Sequence, residues 1–73
     1  MDRSRQLQHL EEAERHLLSG EQNITDQEER IEVLERHGHE TNLARAVLET
    51  FLSTQMQFVA HRDQILRELD GTT

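Results

Sequence analysis

The stretch "LERHGHETN", Leu34 to Asn42, decides how this 73-residue chain folds. It sets Gly38 between two histidines where one apolar stripe stops and another begins. Ile31 and Leu34 end the first stripe, Gly38 is the residue type most often found just past a helix C-terminus, and Thr41 or Asn42 can cap a following helix. Arg36 and His37 fall in the last helical turn, where positive charge suits the helix dipole. A reversal at 38–40 is expected.

Upstream, Leu10, Leu17, Ile24 and Ile31 recur every seven residues, as the a positions of a coiled coil do, which places Ala13, Gly20, Gln27 and Leu34 at d. The phase crosses Gly20 unbroken. A real turn in "LLSGEQNI" would reset it, so helix one is expected to run over 3–37, absorbing the roughly 1 kcal/mol that an interior glycine costs relative to alanine. Ser19 with Gln22, or Thr25 with Glu28, has capping-box spacing, and a helix starting there is the rival reading. Alanine at position 20 is expected to stabilise the fold if a methyl group is tolerated there, and to destabilise it if the packing is close.

Downstream, Ala44, Leu48, Phe51, Gln55, Phe58, Arg62, Ile65 and Leu69 alternate spacings of four and three before Gly71. This predicts helix two over 41–69 and a frayed tail at 70–73. Rods of about 50 and 45 Å would fold back on each other. A turn near 37–39 sets Leu10 opposite Ile65, Leu17 opposite Phe58, Ile24 opposite Phe51 and Ile31 opposite Ala44. The same register puts Gln55 against Gly20 and Arg62 against Ala13, so each long polar side chain faces a small residue that leaves it room.

Composition agrees with a single all-α domain over 1–73, an antiparallel two-helix hairpin of coiled-coil type. The chain has no proline, no cysteine and three glycines. So small a domain has a marginal core unless a metal, very regular packing or a second chain reinforces it. Acids outnumber bases by 15 to 8, for a net charge of −7. With Phe51 and Phe58 as the only aromatics besides histidine, this excludes a nucleic-acid grip, which needs a basic face with stacking platforms. No apolar run has the roughly 18 residues that span a bilayer, and "MDRSRQLQHLEE" lacks the apolar region of a signal peptide. A soluble cytoplasmic protein without membrane contact is expected.

Glu14, Glu21, Glu28 and Glu35 form a heptad column on one edge of helix one, read as a solvated acidic flank that sets partner choice. Glu14 is expected within reach of Arg62. The other edge carries His9, His16, Asn23, Arg30 and His37. Acid precedes base by four residues at Glu11/Arg15, Asp26/Arg30, Glu32/Arg36 and Asp63/Arg67, the spacing of exposed helix pairs worth about 0.3 to 0.5 kcal/mol each.

Candidate chemistry is sparse. His37 and His39, two apart at a helix end, are expected to diverge rather than share an ion. A better but still weak metal candidate is His16 with His61, which the register brings to one level, and Glu12 one turn before His16. Zinc wants three or four ligands, and the Glu-x-x-His pairs of di-iron bundles are missing. "HRD" at 61–63 copies a kinase catalytic loop without the rest of that machinery. Neither an enzyme nor a cofactor is expected.

Leu52, Val59 and Leu66, with Met56 between them, form a further apolar strip beside the hairpin seam. It predicts a homodimer assembled as an antiparallel four-helix bundle, or a docking face for the helix of an unknown partner. The expected function is a non-enzymatic interaction or regulatory module that self-associates. The alternatives are an acidic inhibitor that mimics nucleic-acid phosphates toward a basic partner, and metal sequestration by His16 and His61.

"SGEQNITDQEERIEVLERHGHETNLARAVLETF" at 19–51 followed by "HRDQILREL" at 61–69 resembles a group of short uncharacterised helical-hairpin proteins, chiefly from alphaproteobacteria. The likeness rests on the Gly-Glu, Leu-Glu-Arg, Gly-His and His-Arg-Asp signatures in that order. It implies a bacterial source and carries no activity.

Overall fold

Two helices account for nearly all of the computed structural model, which describes residues 2–71. Helix α1 spans Arg3–Arg36 and helix α2 spans Asn42–Asp70. Asp2 opens α1 in extended conformation, its carboxylate accepting the Ser4 N–H at 3.0 Å, which satisfies one of the free donors of the first turn. From there α1 passes through Ser19, Gly20 and Glu21 without interruption. The rival start inside this segment is thereby excluded. Of the expected tail, Asp70 belongs to α2 and Gly71 closes it with a 2.6 Å bond to the Arg67 carbonyl, while the remainder lies outside the described residues.

The reversal is a Schellman-type cap. Gly38 takes φ +70°, its N–H bonds the Glu35 carbonyl at 3.1 Å, and the His39 N–H reaches Leu34 at 2.9 Å. Thr41 occupies the N-cap of α2, as expected of it or Asn42, but its hydroxyl makes no capping bond. Glu40 does that work instead, accepting the Asn42 N–H at 2.7 Å, and Thr41 Oγ1 accepts from Arg45 Nε at 3.1 Å. Arg45 also pairs with Glu35 across the turn at 3.0 Å. Being more than half exposed on both sides, that pair adds at most about 0.5 kcal/mol.

Cross-helix contacts run antiparallel from the open end to the turn: Gln6 to Glu68, His16 to Phe58, Gly20 to Gln55, Gln27 to Ala44. The antiparallel order and the placement of Gln55 against Gly20 are as expected. The most continuous buried column on α1 is nevertheless Gln6, Ala13, Gly20 and Gln27, the small and polar positions of the seam. Of the other column Leu17 and Ile31 are buried, Leu10 and Ile24 only half-buried. Glutamine amides supply the cross-links: Gln27 Nε2 donates to the Ala44 carbonyl at 2.8 Å, Gln55 Nε2 to the Leu17 carbonyl at 3.0 Å, and Gln6 Nε2 to Glu68 at 2.7 Å. Each bond offsets the desolvation of a buried amide.

Of α2, Ile65 alone is buried. One helix can cover only one side of another, so Phe51, Phe58, Leu48 and Leu69 stay half-open. The result is a rod of 56 × 14 × 13 Å, with a radius of gyration of 16.7 Å against about 11 Å for a compact domain of this length. Its 5729 Å² of accessible surface likewise exceeds the roughly 4,700 Å² of a compact protein of this mass.

A Cβ on Gly20 would run into the Gln55 amide, its Cδ lying 2.8 Å away. Gly20→Ala must therefore displace Gln55 and break its bond to Leu17, cancelling the gain in helix propensity. In a Gln55→Ala background, by contrast, Gly20→Ala should recover about 1 kcal/mol. Urea melts of the two single variants and the double variant check this; additive effects would refute the close approach. Gly38 has nothing within 4 Å of an added Cβ, so only its backbone matters there. Gly38→Ala should cost about 1 to 2 kcal/mol and Gly38→Asn less, measured in the same way.

Candidate functional site

Leu52, Met56, Val59 and Ala60 line an open groove along α2, with Gln55 and Asp63 at its margins. These side chains share one side because spacings of three, four and seven residues return to the same helical face. Met56 is 73% exposed, Leu52 and Leu66 less so, and Val59 is half-buried. The strip expected from the sequence thus lies open to solvent along its length.

A second groove crosses from α2 to α1, formed by Gln55, Val59 and Arg62 with Glu14, Leu17, Leu18 and Glu21. The acidic flank and the apolar strip therefore lie on the same side of the hairpin. Arg45, one heptad before Leu52, meets Glu35 there, while Glu14 and Glu21 border the strip farther along. Glu28 falls between them in the same column. Glu14, Glu21 and Glu28 are exposed, and none of the three forms a hydrogen bond or ion pair among the described residues.

Leu18, Ala60 and Asp63 join this site without having been read from the sequence. Leu18 is 66% exposed, four residues after Glu14 and three before Glu21. That spacing was the available signal. Ala60 follows Met56 by one turn in the same way.

Several expected pairings resolve differently. Arg62 turns to its neighbour Asp63 at 3.0 Å rather than to Glu14, because the adjacent carboxylate is reached without spanning the seam. None of the four acid-base pairs at four-residue spacing closes within 4.0 Å; among the described residues the ion pairs are Arg45–Glu35 and Arg62–Asp63. Such exposed pairs gain too little to order two long side chains.

The histidines also differ from expectation. His16 packs its ring on Phe58, centroids 5.2 Å apart, while His61 is exposed and makes no ring contact with it. An apolar ring in the seam holds the imidazole, and Glu12 stays on the solvent side. His37 and His39 do not diverge: the capping geometry bends the chain so that their rings stack at 6.3 Å and 20°. Among the described residues no three His, Asp or Glu side chains are gathered as a metal would need. No helix of the described chain is long and apolar enough to cross a membrane.

Comparisons with protein-family models, with curated proteins and with solved structures found no match to this chain.

Titration with Zn²⁺ is expected to give no 1:1 isotherm, two or fewer ligands being too few for tight binding. A tight stoichiometric isotherm that disappears in His16→Ala would restore His16 as a ligand and revive the sequestration reading.

Proposed function

We propose that the chain is a non-enzymatic helical module for protein–protein interaction or regulation, and that the strip on α2 is its working surface. The observation that carries this reading is the apolar groove left open along Leu52, Met56 and Val59, with Leu66 exposed one heptad beyond Val59. Fully burying an exposed side chain of this kind is worth about 1.5 to 3 kcal/mol, so covering what remains open is worth most of that for Met56 and roughly half for Leu52 and Leu66, still a large fraction of the stability of so small a domain. Monomeric proteins rarely leave such a strip in water.

A second copy is one possible cover, giving the homodimer and antiparallel four-helix bundle expected from the sequence. Arg45, Glu49, Leu52, Met56, Val59, Asp63, Leu66 and Asp70 alternate fours and threes, the spacing of a second coiled-coil seam. Antiparallel pairing of two such seams about Met56 and Val59 sets Arg45 of one copy beside Asp70 of the other. Against the bundle stands the edge of α1 that it would also have to bury, where Glu14, Glu21 and Glu28 have no cation. That edge favours the alternative cover, a basic surface on another protein.

Size-exclusion chromatography with light scattering, on wild type, Met56→Glu and Val59→Glu, tests the assignment. Met56 is exposed, so its substitution should leave helix content unchanged while abolishing any assembly through the strip. A dimer that becomes a helical monomer in both variants supports the bundle. A helical wild-type monomer excludes the bundle and leaves the strip to the helix of another protein. A wild-type dimer that persists in both variants would overturn the strip as the working surface.

A further inference from the structure

We infer that the partner that covers the strip is a basic amphipathic helix, its apolar face seated on Leu52, Met56 and Val59 and its Lys or Arg side chains against Glu14, Glu21 and Glu28. The inference rests on the interaction-module reading and adds the chemistry of the occupant.

Charge is distributed unevenly on this side of the hairpin. Beside Leu52, Met56 and Val59 the arginines are engaged, Arg45 with Glu35 and Arg62 with Asp63, each at 3.0 Å, whereas Arg3 and Arg67 lie at the far end with Leu66. The three glutamates have no partner among the described residues. An apolar groove bordered by uncompensated carboxylates presents half of a complementary pair, and the missing half is a cation beside an apolar face.

A second copy supplies the wrong charge. Each copy carries −7, and a two-fold arrangement would bring a second row of glutamates to the same rim. Nucleic acid and anionic lipid are repelled for the same reason. A cationic helix relieves both deficits at once.

The dimensions set the ligand. Leu66 lies fourteen residues after Leu52 on α2, about 21 Å, so about four turns of partner helix suffice. The glutamates recur every seven residues, about 10.5 Å, which a helix matches with basic residues at i and i+7 on the flank of an apolar stripe. Leu18, exposed between Glu14 and Glu21, extends the apolar floor toward that flank.

Two labelled synthetic helical peptides with the same apolar stripe, one with lysines along its flank and one with glutamates, provide the test by fluorescence anisotropy against the full chain. The lysine peptide should bind saturably at 1:1 and weaken as salt is raised, and the glutamate peptide should not bind. Met56→Glu should weaken the lysine peptide about tenfold. Glu14→Gln with Glu21→Gln should weaken it about fivefold, while Glu12→Gln with Glu29→Gln, which removes the same charge elsewhere on α1, should leave it within about twofold. Equal binding of both peptides overturns the basic-partner inference and leaves the interaction module standing. Equal loss from the two glutamine pairs reveals diffuse attraction to an acidic rod, which overturns it as well. A wild-type dimer that blocks both peptides makes a second copy the occupant. A helical monomer that binds neither peptide defeats both this inference and the assignment of the strip.

Discussion

The amide of Gln55 lies directly over Gly20, a close approach made in the register that the short turn at Gly38 imposes on the two helices. Apolar residues alone do not distinguish this register from one displaced by a heptad, which would still set leucine, isoleucine and phenylalanine against one another; the turn over 37–41 bars so long a slide, and Gln55 agrees with it. The slide would carry Gln55 from Gly20 to Ala13 or Gln27, where a side chain occupies the space that the amide needs. It would also cost the bond from Gln55 Nε2 to the Leu17 carbonyl and strand a buried donor. Polar groups in helical seams commonly act in this way, giving up stability for a single alignment. Here Gln55 Oε1 is itself buried without a partner, so the contact adds little strength to the fold.

That choice shapes the surface. Because α1 gives its deepest column to Gln6, Ala13, Gly20 and Gln27, it offers α2 little apolar area and approaches it closely along one narrow line. The aromatic and aliphatic residues of α2 are then covered from one side only. The open strip at Leu52, Met56 and Val59 is the other face of this asymmetry. A seam filled with leucine at both positions would have held the hairpin together and exposed a similar strip. The short residues of α1 instead bring its glutamate edge near enough to border the groove, so that Glu14 and Glu21 share a wall with Val59.

Much of this was legible in the residues. Leu10, Leu17, Ile24 and Ile31 carried their phase through Gly20, and helix phase is a geometric quantity that a real turn destroys. Gly38 could be read because a left-handed backbone strongly favours glycine. Gln6 was missed as a seam residue because the stripe was counted from its first leucine, although stepping back seven from Ala13 reaches it. Pairings between flexible ends were poorly legible. Arg62 had two carboxylates within reach, and spacing alone does not say that Asp63 holds it. The capping by Glu40 was hidden behind Thr41, the residue type usually favoured for that role, and the stacking of His37 on His39 follows from a cap conformation that spacing does not encode.

Among the described residues no large side chain is fully buried, so this protein has no centre. Its interior is a stack of similar layers, each formed by a few residues from either helix and each touching only the layers above and below it. Length is then an independent variable. Seven residues added to each helix at matching levels would insert two more layers, one for each seam position of the heptad, and extend the rod by about 10 Å, leaving the turn and the open end as they are. The separation between the groove and the Gly38 turn is therefore counted in heptads.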